Sequence, residues 1–416
     1  MRGAQSPGPI AFLVKGFPRL SETFVLHEFL ELRRQGIDLR LFSVLLPEEQ
    51  LVHPAASALC AEVCYLRKAT FADQARALLD AGRQHPIGLG RGLVWLARQH
   101  SRPAARRLVD SLVLARLCRN AGITHIHAHF ATVPTTTAYL AHKVVGVTYS
   151  FSAHAKDVYT TDPAALRLRT ANAAFAVTCT DANRRYFEDV VGVPPGSVRT
   201  LRHGLPTESF LGVSSRPVPG RLLTVGRLVP KKGHDIVARA VAQLVADGHD
   251  VTWHVVGGGP GKAELIAEVR RLGIEDRVTL LGSSTSDEVL EQLATAHVFT
   301  LAPRVLADGD RDGIPNVVLE AMLVGVPVVT TDVSGLPEVI RSGKTGTLVP
   351  PDDVDRLTAA LADALTSPRA GHMAEAAREW ARVNCDLAAA VAPLADLLAQ
   401  ATGPTHADST FSVEAV

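Results

Sequence analysis

RLLTVGRLVPKKGHDIVARAVAQLVADGHDVTWHVVGGG, residues 221 to 259, holds one complete unit of the fold. Two short apolar runs, RLLTVGR and VTWHVVGGG, flank the helical period GHDIVARAVAQLVADG. That succession is a strand, a crossover helix and a parallel strand. The rhythm continues downstream through GKAELIAEVRRLG, VTLLG, SDEVLEQLATA, VFTLAP, PNVVLEAMLVG and VPVVTTD. Upstream it runs through IAFLVKGF, SETFVLHEFLELRRQG, DLRLFSV, ITHIHAHF, VTYSFSAH, AFAVTC and VRTLRHG. A Ser-, Pro- and Gly-rich break, LGVSSRPVPGR, reads as a linker between the two series. A chain of 416 residues also exceeds what one hydrophobic core usually serves. The expectation is an α/β protein of two doubly wound domains, 1–210 and 211–400, facing a central cleft. Ligands of such sheets sit beyond the carboxyl ends of the strands. The helical stretch AGHMAEAAREWARVNCDLAAAVAPLADLLAQ is expected to pack back across the interface, and 401–416 to form a flexible tail.

Composition narrows the class. With 43 Lys and Arg against 42 Asp and Glu the chain is near neutral, and no nucleic-acid partner is expected of it. No apolar run reaches the roughly 18 residues that span a bilayer, and the opening MRGAQSPGP lacks the apolar core of a signal peptide. Five scattered cysteines without C-x-x-C spacing read as reduced thiols, so a cytosolic chain is expected. The charge is unevenly spread, however: residues 67–119 hold eleven Arg or Lys against Asp73, Asp80 and Asp110. Interleaved with GLVWLARQ and LVDSLVLARL, they read either as basic amphipathic helices suited to an anionic membrane surface or as a solvated helical face.

Several motifs lie where the cleft should be. DGIPNVVLEAM, residues 312–322, is a helix apolar on every side that carries one glutamate. Pro315 is placed as its first helical residue, leaving the N–H groups of Asn316 and Val317 at a positive helix end that suits a diphosphate. Asp312 and Glu320 flank that end; they would repel phosphates but can accept hydrogen bonds from sugar hydroxyls, which makes a ribose diol the partner that Glu320 needs. The alternative is a glutamate bonded within the protein. GRLVPKKG, residues 226–233, places Arg227, Lys231 and Lys232 in one turn, either a phosphate grip or a solvated basic turn. GGGPGK, residues 257–262, fails the dinucleotide fingerprint at Lys262 and the P-loop at Ala263, but it remains a glycine-rich turn around Gly258 open to close approach by a ligand. DGD at 308–310 is an acidic pattern that can hold a divalent metal; a flexible loop is the preferred reading. His125, His127 and His129 share one face of a strand and are expected to be satisfied polar groups rather than zinc ligands.

These residues resemble the retaining glycosyltransferases of family 4, which have the GT-B fold of two Rossmann-like domains. DGIPNVVLE is similar to that family's E-x(7)-E motif, and GRLVPKKGHD, VVGGGP, VTLLG, GLPEVI and TGTLVPPDD follow in the expected order. In the first half FPRLSETFVLHEF, IHAHFAT and SFSAHAKDVY resemble the exopolysaccharide branch of the colanic-acid type. The resemblance implies that the Gly16 loop approaches the donor phosphates and that His154 contacts the donor sugar near the reacting carbon. It further implies that Arg227 and Lys232 neutralise the departing diphosphate, Asp312 holds sugar hydroxyls and Glu320 holds the ribose. Asp312 departs from the motif, which more often has glutamate there. The implied reaction is metal-independent transfer of a sugar from a nucleoside-diphosphate sugar to an acceptor hydroxyl, with retention and no further cofactor. The acceptor is expected to be a saccharide, a lipid-linked saccharide or a soluble small molecule; a sugar-nucleotide epimerase is the competing class.

Overall fold

The computed structural model describes residues 8–19, 22–47, 54–99 and 101–402. Two sheets, every strand parallel to its neighbours, form two domains. The first sheet contains β1 (Ile10–Gly16), β2 (Leu39–Leu45), β3 (Cys64–Tyr65), β4 (His125–His129), β5 (Thr148–Ala153), β6 (Ala176–Thr178) and β7 (Val198–Thr200), in the order β3-β2-β1-β4-β5-β6-β7. The second contains β8 (Arg221–Val225), β9 (Thr252–Val256), β10 (Val278–Gly282), β11 (Val298–Leu301), β12 (Val328–Thr331) and β13 (Thr347–Val349), in the order β10-β9-β8-β11-β12-β13. Central strands such as β11 and β12 are buried along their whole length, because helices cover both faces. That is why they read as apolar runs rather than as alternating patterns.

The closing helical stretch is two helices, not one. Pro368–Asn384 packs on the second domain, with Ala377 and Ala381 in its core beside Met322. Leu387–Thr402 packs on the first, where Val391, Leu394 and Leu398 meet Phe12, Phe29 and Leu32. The break is made by tertiary bonds: Leu205 N–H donates to Cys385 O at 2.8 Å, Leu387 N–H donates to Leu205 O at 3.0 Å, and the Asp386 carboxylate accepts from Ala389 N–H at 2.8 Å. The chain therefore crosses between domains twice, side by side. Residues 401 and 402 belong to this helix; the rest of the expected tail lies outside the described residues.

The basic segment forms three helices, Phe71–Gln84, Pro86–Gln99 and Arg102–Asn120. Its three aspartates are all engaged by its own cations: Asp73 by Arg76, Asp80 by Arg116 and Arg119, Asp110 by Arg67 and Arg106. Arg83, Arg91, Arg98, Arg102 and Arg107 make no ion pair among the described residues. Phe71 is 90% exposed and Ile87 74%, with Leu79 and Val94 also outward. Ile87, Arg91, Val94 and Arg98 follow a 4-3-4 spacing and share one helical stripe.

Candidate active site

In each sheet the order reverses once, between β1 and β4 and between β8 and β11. At such switch points the loops leave a crevice at the carboxyl ends. The GRLVPKKG, GGGPGK, DGD and DGIPNVVLEAM motifs lie on loops or helices that follow the carboxyl ends of strands. Gly16 closes β1, and an added Cβ there would meet nothing closer than Arg19 Nε at 3.5 Å. The fold itself makes no demand for glycine at that point.

After β8 the chain turns through Gly226, Arg227 and Leu228. The glycine-rich turn after β9 packs directly on this loop: Leu228 N–H donates to Gly258 O and Gly261 N–H to Leu228 O, both at 2.9 Å. Gly257, at φ 146°, and Gly259, at φ 152°, leave no room for a side chain, since a Cβ would come within 2.0 Å of Gly226 O and 2.6 Å of Leu228 O respectively. At Gly257 and Gly259 the close approach is made by the protein's own loop. The consequence is a rigid seat for Arg227, whose exposed side chain makes no hydrogen bond or ion pair among the described residues.

Helix Asn316–Val324 begins one residue later than expected. Pro315 is its cap, with φ −64° and ψ 123°, and not its first helical residue. The first intrahelical bond comes from Val318 N–H to Pro315 O at 2.9 Å, so the N–H groups of Asn316 and Val317 remain open at the helix end, as the anion-binding reading requires. A cavity of ≈ 70 Å³ opens there between the domains, lined by Cys179 and His203 on one side and Ile314, Asn316 and Leu319 on the other. Glu320 lies in the second turn. Burial pushes its pKa up to about 7, and no cation or hydrogen-bond donor among the described residues reaches it.

Asp312 is differently placed. Its carboxylate lies 2.7 Å from Lys232 Nζ and 3.2 Å from Lys231 Nζ. Burial alone would raise its pKa, but the two ammonium groups outweigh this and hold it below the usual carboxylate range. Asp310 is 8% exposed and 2.9 Å from Lys231 Nζ. Asp308 is exposed, whereas Asp310 is buried and ammonium groups already sit against it.

Across the cleft, His154 caps the short helix Ala155–Tyr159. Asp157 holds it there, accepting from the N–H of His154 at 3.0 Å and from that of Ala131. The ring stacks on His203 at 5.2 Å and His129 at 5.6 Å, and burial keeps its pKa well below the ordinary histidine value. It is a neutral imidazole at pH 7, able to hydrogen-bond a hydroxyl. Its buried Nδ1 has no partner. His125 and His127 bond the hydroxyls of Thr148, Ser150 and Ser152 on β5 at 2.8–3.1 Å, and His129 Nε2 lies 2.8 Å from Glu28. Sequence reasoning did not anticipate His203, Lys156 or the bridge in which Glu338 accepts from the N–H groups of Asp181 and Ala182 and from Arg202. Only pairing across the two domains reveals them.

Residues 215–380 match the family model of the glycosyl transferases group 1. WcaL of Salmonella typhimurium, named as a colanic acid biosynthesis glycosyltransferase, is 29% identical over 369 residues, 85% of this chain and 90% of its own. Residues 215–380 are thus similar to the group 1 glycosyl transferases, and the chain is a glycosyltransferase. The transferase is also 38% identical over 189 residues to a GDP-mannose-dependent phosphatidylinositol monomannoside mannosyltransferase of Mycolicibacterium smegmatis, an alignment covering 45% of this chain and 49% of that one. Its fold is that of sucrose-phosphate synthase from Thermosynechococcus elongatus (TM-score 0.71, 18% identity, 94% and 98% of the two chains). It is likewise that of Anabaena HepE, solved with UDP-glucose (TM-score 0.70, 17% identity, 94% and 99%). Both are GT-B glycosyltransferases in architecture, and so is the transferase.

Proposed function

We propose that this glycosyltransferase moves a sugar from a nucleoside-diphosphate sugar to an acceptor hydroxyl with retention at the anomeric carbon and without a divalent metal, in exopolysaccharide or glycolipid assembly. One observation carries the reading: Arg227, the end of helix Asn316–Val324 and the half-buried Glu320, whose side chains have no ion pair among the described residues, lie on the segments that follow β8 and β11 at one switch point. Arg227 and Lys232 with the N–H groups of Asn316 and Val317 would meet the diphosphate, Glu320 the ribose diol, and Asp312 with the neutral His154 the sugar hydroxyls. As the C1–O bond breaks, charge develops on the departing diphosphate, where the fixed cations and the helix end stabilise it. Those groups supply the charge that a metal would otherwise bring, and the lysines against Asp310 oppose a cation there.

By their names WcaL belongs to colanic acid biosynthesis and the mannosyltransferase acts on a phosphatidylinositol monomannoside, which supports a lipid-linked or polymeric acceptor over a soluble one. The outward Ile87 and Phe71 with the unpaired Arg91 and Arg98 support peripheral contact with an anionic membrane face. The test is proton NMR of UDP-glucose, GDP-mannose and related donors incubated with the protein, with and without saccharide acceptors. Acceptor-dependent release of nucleotide, an α product from an α-linked donor, and indifference to EDTA are expected. Donor conversion to its epimer without acceptor would make it an epimerase, and loss with EDTA restored by manganese would overturn the metal-independent step.

A further inference from the structure

The acidic stretch at 308–310 joins the two domains, and we propose that residues 309–311 form a latch that sets the spacing between His154 and Asp312. This rests on the assignment of those two side chains to the donor sugar. The two oxygens of Asp310 serve different domains: Oδ1 lies 2.9 Å from Lys231 Nζ, and Oδ2 lies 3.5 Å from Lys156 Nζ across the cleft. Lys231 also reaches Asp312 at 3.2 Å, so one enclosed lysine ties the latch to the sugar-binding carboxylate. Lys156 belongs to the helix Ala155–Tyr159, whose cap is His154. The Arg311 guanidinium carbon lies 3.8 Å from the ring centroid of Tyr159, the last residue of that helix. Gly309, at φ 86°, runs so close that a Cβ there would stand 3.0 Å from Tyr159 O. Asp308 holds this shape by accepting from Asp310 N–H at 3.0 Å. Three consecutive residues thus seat on the single turn that carries His154.

The cavities beside His154 and at the helix end are small in this arrangement. Cavities of ≈ 20 Å³ beside His154 and ≈ 70 Å³ at the helix end are far below the several hundred Å³ that a nucleotide sugar occupies. The latch must open to admit the donor and close again to bring His154 to the sugar. Its outer contacts suit that cycle, since the side chain of Lys156 is 67% exposed and such pairs are weak and screened by salt. Lys156, Asp310 and Arg311 are positioning residues. The test combines hydrogen exchange with kinetics on the full chain carrying Lys156→Ala with Arg311→Ala, and Lys156→Arg with Arg311→Lys. The alanine pair is expected to exchange at least threefold faster in both 155–159 and 306–313. Its kcat is expected to fall about tenfold while the Kd for UDP or GDP stays within twofold, with most of the loss restored in the conservative pair. Unchanged exchange in the two segments, or a loss confined to nucleotide affinity, would overturn the latch. Absence of sugar transfer by the wild-type chain would instead defeat the proposed reaction, and the exchange result would still decide the latch.

Discussion

Asp312 and Glu320 stand eight residues apart and are treated oppositely by the fold. Asp312 is neutralised by Lys231 and Lys232, whereas Glu320 has no partner among the described residues. Replacing Asp312 with Asn releases Lys232 for the diphosphate, so free nucleoside diphosphate should bind as well as before or more tightly. Turnover of the intact donor should fall about 10- to 100-fold, the loss of one hydrogen bond to a charged group; titration calorimetry and steady-state rates separate the two. Weaker nucleotide binding in Asp312→Asn would place that carboxylate in the scaffold instead. Glu320 gives a pH signature. A pKa of about 7 means the empty site holds a proton below that pH, and hydrogen bonds from ribose hydroxyls favour the ionised form, so binding expels the proton. Nucleotide affinity should therefore rise about tenfold between pH 6 and 8 and level off above. Glu320→Gln should flatten this component and leave only the titration of the nucleotide's own phosphates; an identical pH profile in the variant would contradict the assignment. That this pair flanks one helix end was legible from residue types and spacing. The pairing of Asp312 with lysines 80 residues earlier was not, because a loop's neighbours across a cleft leave no local trace.

The glycine-rich turn and the loop it supports form one element in energetic terms. Gly257→Ala places a methyl group against Gly226 O at a φ that only glycine adopts readily. A loss of about 2 to 3 kcal/mol is expected, measured by urea unfolding, together with weaker nucleotide binding as Arg227 loses its seat. Wild-type stability in that variant would mean that the two loops part easily. Strands and crossover helices of both domains were readable because burial on both faces yields continuous apolar runs and the helices keep a 3.6 period. The break at Cys385–Asp386 was not readable, since neither glycine nor proline marks it and the stop is imposed by the Leu205 backbone. The shape of the 308–310 loop was misjudged for a related reason: three acidic or small residues look solvated until Lys231 and Lys156 are brought to them.

At the scale of the whole molecule, the outward stripe of Ile87, Arg91, Val94 and Arg98 is placed on the first domain, where the acceptor is expected. Arg91→Ala with Arg98→Ala should weaken binding to vesicles containing phosphatidylserine by about 2 kcal/mol, about 30-fold, and leave transfer to a soluble acceptor intact. Equal binding to neutral and anionic vesicles would reduce the stripe to a solvated face. The donor is assigned by our proposal to the second domain, and its recognition is the claim on which the rest depends. Its most direct test is the melting temperature of the protein with a panel of nucleoside diphosphates and their sugars. A ligand at a hundred times its Kd adds about 2.7 kcal/mol, which corresponds to a rise of about 5 to 10 °C for domains of this size. The account predicts such a rise with at least one nucleotide sugar and with its free nucleoside diphosphate, abolished in the Arg227→Ala, Glu320→Gln double variant. No shift with any member of the panel, or a shift that survives intact in the double variant, would contradict it.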